Sequence, residues 1–236
     1  MKIEILYPQL CCLYSDKGNT LFLQKSFPDA QFVFTQLNER PAFLNGDVDL
    51  CCMYSMSEQN QERILERWIP IKEEIATALN SKTIFLLLGN ALELFGQYIQ
   101  REDGSRVDCL GVFQTHSVRH APKRFNSLIQ ASFENITLLG YTSRFSDSFG
   151  ITEDIAMANV EIGYGSDPAT KLEGIYTGNI IATYLLGPLL VANPDFAKWL
   201  MTKLGVEAPS LPFEKDLYVS YETRRKEFQR TDLELD

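Results

Sequence analysis

Residues 86–96 read "LLLGNALELFG", an apolar run that ends at a Gly-Asn pair and continues into a stretch of helical character. This order predicts a strand, a sharp turn and a helix, the layout on which many α/β enzymes carry a nucleophile at the bend. Gly89 and Asn90 occupy the bend, and neither has a nucleophilic side chain. The stretch therefore predicts the backbone of an active site from which the reactive group is missing.

Strands and helices alternate around this stretch across the first hundred residues. Short apolar runs predict strands at "KIEILY", "QFVFTQL", "DVDLCCMY" and "TIFLLL". Between them lie segments with apolar residues at helical spacing, and Pro70 is expected to kink or split the helix predicted over residues 58–79. The alternation predicts an α/β protein with a parallel sheet covered on both faces.

The second half of the chain changes character. Residues 106–164 form short runs rich in β-branched and aromatic residues, which predict a largely antiparallel extension of the sheet. A last strand near "NIIATYLLG" precedes a predicted helix, with Asn193 as its N-cap, Pro194 at its first position and Gly205 at its end.

The domain organisation follows from the lack of any internal repeat, low-complexity segment or flexible linker in the sequence. We expect one compact domain over residues 1–205, followed by a charged C-terminal helix and tail over residues 206–236. Within this tail the helix is predicted at about residues 214–229.

Charge and hydropathy limit the classes of partner. The 236 residues are 45% hydrophobic and carry a net charge of -9, which disfavours non-specific attraction to nucleic acid or to an anionic membrane. No segment reaches the roughly 18 apolar residues of a membrane span, and the N-terminus lacks the apolar region of a secretion signal. We expect a cytoplasmic protein with a small-molecule or protein partner.

Cysteine and histidine spacing gives no sign of a disulfide framework, a metal site or a cofactor. The five cysteines include two adjacent pairs and no CxxC motif, which indicates reduced and partly buried thiols. The two histidines, His116 and His120, follow Cys109 in a segment predicted as strand and loop. This context disfavours both a metal site and a relocated Cys-His dyad.

Three stretches carry a resemblance that covers residue 3 to about residue 200. The first, "ILYPQLCCLYSDKGN", is followed by "GYGSDPATKLEG" and "ATYLLGPLLVANPDFAKWL". Taken in order, they resemble the class I glutamine amidotransferases of the cobyric acid synthase type, especially the glutaminase subunit of lipid II isoglutaminyl synthase. The first stretch keeps the family's pattern at Tyr7, Pro8, Leu10, Tyr14, Asp16, Gly18 and Asn19.

The resemblance implies a fold and a mechanism. The fold is flavodoxin-like, with a mostly parallel central sheet and an antiparallel extension. Members of the family use a cysteine at the bend, a histidine that activates the thiol, and backbone N–H groups that stabilise the oxyanion. The ammonia released from glutamine passes to a partner, which in the closest subfamily is a Mur-ligase-like synthetase that amidates a precursor of bacterial peptidoglycan.

The sequence departs from the family at each catalytic position. Gly89 takes the place of the nucleophilic cysteine, and Leu186 takes the place of the histidine base. The family's Gly-Phe-Glu-Asn-His stretch falls on "GYTSR", residues 140–144. The chain is therefore identified as a catalytically degenerate homologue, with vestigial site positions at Tyr54, Ser55 and Met56 of the oxyanion loop and at Gly89, Asn90, Glu93 and Leu186.

Asn90 and Glu93 have the spacing of a capping box, in which both side chains satisfy N–H groups at the start of a helix. We therefore expect the former catalytic bend to have become an ordinary helix cap. The alternative is an anion site at the helix N-terminus, which a glutamate in the first turn would oppose.

Three functional hypotheses follow. The leading one is a pseudo-glutaminase that binds or regulates a Mur-ligase-like synthetase, or a second copy of itself, without a cofactor or a metal. A second keeps the family's role in lipid II amidation, with an active subunit elsewhere supplying the cysteine. A third is a hydrolase or transferase that uses carboxylates of the same cleft, such as Asp16, Glu58 or Glu93.

Overall fold

The computed structural model describes residues 1–230, which form two sheets and their flanking helices. The strands are β1 (Lys2–Leu6), β2 (Gln31–Thr35), β3 (Leu50–Met53), β4 (Ile84–Leu88), β5 (Tyr98–Gln100), β6 (Arg106–Asp108), β7 (His116–Arg119), β8 (Phe125–Phe133), β9 (Ile136–Arg144), β10 (Ser146–Phe149), β11 (Ala156–Ile162), β12 (Leu172–Thr177) and β13 (Ile180–Thr183). The α-helices are α1 (Lys17–Ser26), α2 (Glu58–Trp68), α3 (Lys72–Leu79), α4 (Leu189–Ala192), α5 (Pro194–Lys203) and α6 (Glu214–Glu227).

The main sheet has nine strands in the order β2-β1-β3-β4-β13-β12-β11-β8-β9. Its first five strands are parallel, as the alternation of strands and helices predicts. The other four pairings are all antiparallel and equal the parallel ones in number, so the sheet is mixed rather than mostly parallel. The second sheet is smaller and has the order β10-β7-β5-β6.

The core of the molecule is centred on β3 and β4, whose residues are all buried. Their continuous apolar runs are typical of parallel strands that are covered by helices on both faces. Because both Cys51 and Cys52 lie in β3 and are fully buried, they act as small apolar side chains. No helix within residues 1–230 combines the length and the apolar character that a membrane crossing requires.

Pro70 divides a helical segment, as expected. The helix α2 ends at Trp68, a 3₁₀ turn covers Ile69–Ile71, and α3 begins at Lys72. Proline has no N–H group to donate to the preceding turn, which explains the break. Two further 3₁₀ segments are Ala42–Asn45 and Gly89–Phe95, and the latter follows β4 where the sequence predicts an α-helix.

The C-terminal helices pack against strand β9. The helix α5 begins with Pro194, and Gly205 follows its end with a φ of 87°. Asn193 lies at the predicted N-cap position but does not cap the helix. Instead its side chain accepts a hydrogen bond from the Leu139 N–H (2.7 Å) and donates one to the Leu139 carbonyl (3.0 Å). The buried amide therefore joins α5 to β9.

The helix α6 also packs on the main sheet, through the buried residues Leu217 and Tyr221. The Tyr221 hydroxyl donates a hydrogen bond to the Thr137 carbonyl at 2.8 Å. The helix closely matches its predicted range, whereas the end of the predicted tail, residues 231–236, lies outside the described residues.

Replacement of Asn193 tests the junction between α5 and β9. Asn193→Ala leaves the buried N–H and carbonyl of Leu139 without these partners, so we expect a loss of about 2–4 kcal/mol in the free energy of unfolding. Asn80→Ala is the matched control, because the Asn80 side chain is exposed and donates one helical hydrogen bond. Urea unfolding measures both variants, and equal losses would contradict the assignment.

Candidate functional site

A small cavity of about 110 Å³ lies beyond the carboxyl ends of β1, β3 and β4. The position lies beside β1 and β3, between which the order of strand addition reverses, and this switch point is the usual ligand site of an open α/β sheet. Five of the seven predicted vestigial positions line the cavity, namely Ser55, Met56, Gly89, Asn90 and Leu186. Tyr54 and Glu93 lie outside the lining.

Gly89 lines the cavity and has a left-handed conformation, with a φ of 62°. A Cβ atom at this position would be 2.4 Å from the Ser55 Oγ and 2.9 Å from the Ser55 Cβ. The Ser55 side chain therefore fills the space that any side chain at position 89 would need. Its hydroxyl is buried and has no hydrogen-bond partner within residues 1–230.

The backbone N–H groups of Ser55 and Met56, in the loop after β3, are hydrogen-bonded to side chains of the protein. The Ser55 N–H donates a hydrogen bond to the Asp16 Oδ2 at 3.0 Å. The Met56 N–H donates to the Asn90 Oδ1 at 2.9 Å, and the Asn90 Nδ2 donates to the Met56 carbonyl at 2.8 Å. Because these donors are already paired, they are not free to stabilise an oxyanion in the cavity.

The capping-box prediction for Asn90 and Glu93 is wrong. Asn90 pairs with Met56, and Glu93 is buried beneath the cavity with 2% of its surface exposed. The Glu93 carboxylate accepts hydrogen bonds from the Gln61 Nε2 (2.9 Å), the Tyr184 hydroxyl (2.8 Å) and the Ser146 hydroxyl. Burial raises the pKa of this carboxyl group, and the three donors oppose that shift.

Leu186 and Tyr54 are both buried and hydrogen-bonded to other residues of the protein. Leu186 is buried at the edge of the cavity and forms an antiparallel bridge to Tyr141, in which its N–H donates to the Tyr141 carbonyl at 2.9 Å. Tyr54 is buried and accepts a hydrogen bond from the Thr20 hydroxyl at 3.2 Å. Burial raises the pKa of the Tyr54 hydroxyl well above its usual value, so this group stays protonated.

Arg144 also lines the cavity, and it is the last residue of the "GYTSR" stretch that departs from the family pattern. Its guanidinium lies 4.4 Å from the centre of the Tyr184 ring and donates hydrogen bonds of 2.7 Å to the Ser146 and Gly165 carbonyls. Asp147 provides a buried carboxylate at 3.4 Å. The arginine thus fixes one wall of the cavity. The difference between "GYTSR" and the family pattern was the feature of the sequence that pointed to this residue.

The three carboxylates of the enzyme hypothesis do not face a common space. Glu58 lines the cavity, whereas Asp16 and Glu93 do not. The Asp16 side chain is fully buried, and burial raises its pKa to about 6. Its Oδ1 has no hydrogen-bond partner within residues 1–230, while its Oδ2 holds the loop after β3 through Ser55.

No hydrogen bond joins Cys109 to either histidine within residues 1–230. Burial raises the pKa of the Cys109 thiol to about 12, which keeps it protonated at neutral pH. The His116 ring stacks between Tyr98 and Phe149, and the His120 Nε2 lies 3.1 Å from an Asp147 oxygen. Within residues 1–230 no three His, Cys, Asp or Glu side chains are grouped for a metal ion.

Two known proteins match most of the chain. The chain is 24% identical over 207 residues to the subunit GatD of the glutamine-hydrolyzing lipid II isoglutaminyl synthase of Staphylococcus aureus (strain N315), covering 86% of this chain and 83% of that protein. The corresponding GatD subunit of Streptococcus pneumoniae (strain ATCC BAA-255 / R6) is 24% identical over 209 residues, covering 86% of this chain and 79% of that protein. No model of a known protein family matches the chain.

Alanine at position 89 tests the contact with Ser55. Gly178 is the matched control, because its φ is 63° and a Cβ atom there would meet no atom within 4 Å. We expect Gly178→Ala to lower the free energy of unfolding by about 1–2 kcal/mol, the penalty of a left-handed alanine. Gly89→Ala should lower the free energy of unfolding by more than this, because Ser55 must also move.

The double variant Gly89→Ala/Ser55→Gly separates the two effects. With the serine side chain gone, the loss caused by Gly89→Ala should return to the value of the Gly178 control. Denaturant unfolding of Gly89→Ala, Ser55→Gly, the double variant and the Gly178→Ala control measures this coupling. An additive result would show that Ser55 does not limit the space at position 89.

The raised pKa of Asp16 predicts that the stability of the folded chain depends on pH. The Asp16 pKa of about 6 in the folded chain lies above the value near 4 of an unfolded aspartate, so the folded state binds the proton more tightly. The resulting stabilisation is complete below pH 4 and is lost as the pH rises through 6. Asp16→Asn removes this dependence but keeps an oxygen that accepts the Ser55 N–H.

Unfolding measured between pH 4 and pH 7 provides the test. The wild-type chain should lose stability relative to Asp16→Asn over this range, by on the order of 2 kcal/mol. Asp29→Asn, at an exposed aspartate, serves as the control and should run parallel to the wild type. A wild-type curve parallel to that of Asp16→Asn would contradict the raised pKa.

Proposed function

We propose that this chain is a pseudo-glutaminase, a non-catalytic counterpart of the glutaminase subunit of lipid II isoglutaminyl synthase. It belongs, on this proposal, to the class I amidotransferases of the cobyric acid synthase type with a flavodoxin-like fold. It acts in the cytoplasm as a binding or regulatory subunit of a Mur-ligase-like synthetase. The vestigial positions around Gly89 are the remains of a glutaminase site.

The observation that carries the proposal is the contact between Gly89 and Ser55. Cysteine acyl transfer needs a thiolate, a base that generates it, and donors that stabilise the oxyanion. Position 89 has no side chain, and the Ser55 hydroxyl occupies the space of one. The same cavity has Leu186 where a base would be required and internally paired N–H groups at Ser55 and Met56.

The proposed partner rests on the similarity to two proteins that are named as subunits of a synthase. The match covers 86% of the chain in both cases, so it extends well beyond the cavity. A subunit that has lost its chemistry can keep the surfaces that hold its partner, because these depend on different residues. The net charge of -9 also favours a protein partner over nucleic acid.

A glutaminase assay tests the proposal. We expect the purified chain to release no ammonia from glutamine above a protein-free background, since removal of the nucleophile alone lowers kcat about 10⁶-fold in a comparable triad enzyme. Gly89→Cys should be equally inactive, because Leu186 accepts no proton and the N–H donors remain paired. The Staphylococcus aureus glutamine-hydrolyzing enzyme is the positive control.

Two comparisons make the assay specific. Gly89→Cys/Ser55→Gly/Leu186→His restores the thiol, the space around it and an imidazole, so the single and triple variants separate loss of the nucleophile from loss of its surroundings. Ammonia release by the wild-type chain above that of Gly89→Cys would contradict the proposal. It would instead favour an enzyme that uses the Glu58 carboxylate of the same cavity.

A further inference from the structure

A second and larger pocket, of about 520 Å³, lies beside the carboxyl ends of β1 and β2 and shares no lining residue with the cavity at Gly89. The loop after β1, the loop after β2 and the helix α2 form its walls. The carboxyl ends of parallel strands are the side on which α/β proteins bind ligands. The volume lies within the range of roughly 300–1,000 Å³ that is typical of small-molecule sites.

Two arginines give this pocket a positive wall. Arg63 and Arg67 are four residues apart on α2, a spacing that puts both side chains on one face of the helix. Arg63 donates a hydrogen bond to the Asn60 side chain at 3.2 Å, and Arg67 forms no hydrogen bond or ion pair within residues 1–230. We call this site the arginine pocket.

Two acidic residues that neighbour lining residues in sequence have other partners, whereas Glu66, beside Arg67, is exposed and forms no ion pair within residues 1–230. Glu62 binds Arg101 (2.9 Å) and Arg119 (2.7 Å), and Glu39 accepts the Gln36 N–H at 2.7 Å. Other arginines of the described chain, such as Arg40 and Arg144, pair with carboxylates. Arg63 and Arg67, like Arg106, Arg124 and Arg224, pair with no carboxylate within residues 1–230, although the net charge of the chain is -9.

The rest of the lining is rich in side-chain amides. Gln9, Gln36 and Asn38 contribute carboxamides, which donate and accept hydrogen bonds without adding charge. Leu10 and Leu37 add an apolar surface. Guanidinium groups bind phosphate and carboxylate through paired hydrogen bonds, and amides suit the polar body of a small molecule.

We propose that the arginine pocket binds a small molecule that carries an oxyanion, either a phosphate or a carboxylate group. The guanidinium groups of Arg63 and Arg67 hold the anion, and the amides of Gln9 and Gln36 contact the rest of the ligand. This site is independent of the cavity at Gly89 and of the loss of glutaminase chemistry. It gives the chain a way to respond to a metabolite while the former catalytic cavity stays closed.

Isothermal titration calorimetry of the full chain tests the proposal with three probes, which are inorganic phosphate, adenosine monophosphate and citrate. We expect saturable binding of at least one probe, weakened at least about tenfold in Arg63→Gln/Arg67→Gln. Arg225→Gln is the matched control, because this exposed arginine of α6 lies outside the pocket. Thermal unfolding of each variant checks that the fold is intact, because Arg67 also lies in the last turn of α2.

The probes distinguish the two anion classes. Binding of phosphate or adenosine monophosphate without citrate identifies a phosphate ligand, and the reverse pattern identifies a carboxylate ligand. Absence of saturable binding for all three probes would overturn the proposal. Equal affinities in the double variant and the wild type would overturn it as well.

Discussion

The loop after β3 lies very close to the end of β4, and the shape of the cavity at Gly89 depends on this contact. Gly89 permits it, because the residue has a left-handed backbone and no side chain to keep Ser55 away. Once the loop is in place, the Ser55 N–H reaches Asp16 and the Met56 backbone reaches Asn90. A cavity of about 110 Å³ remains where an enzyme of this architecture would hold its substrate.

Buried polar groups beneath the cavity are hydrogen-bonded to other parts of the protein. The Glu93 carboxylate satisfies three donors from distant parts of the chain, and the Arg144 guanidinium satisfies two carbonyls beside the Tyr184 ring. In a low-dielectric interior such networks are strong when every member is paired. Exceptions within residues 1–230 include the Ser55 hydroxyl, one Asp16 oxygen and the Arg119 Nε, which lack hydrogen-bond partners.

Local sequence patterns predicted the features that depend only on residues close together in the sequence. The apolar runs gave the parallel strands, Pro70 marked the break between α2 and α3, and Gly205 marked the end of α5. Alignment with the family's motifs also identified five positions that line one cavity, although they come from three separate parts of the chain. The interpretation of these positions as the remains of a catalytic site is a proposal.

Side chains with distant partners could not be predicted in this way. Glu93 matches a capping box by spacing, but Gln61, Ser146 and Tyr184 bind it instead, and those contacts span 32, 53 and 91 residues. Asn193 matches an N-cap and pairs with Leu139 across 54 residues. The antiparallel extension likewise includes the pairing of β11 with β8, two strands that are separated in sequence by β9 and β10.

The most direct test of the account is an assay of the complex that the tagged chain forms in its native cell. The isolated complex is analysed for its protein components and for release of ammonia from glutamine. The account predicts a Mur-ligase-like synthetase in the complex and no ammonia release attributable to this chain. Glutamine hydrolysis that persists in the complex and is lost on Ser55→Ala or Glu58→Gln would contradict it.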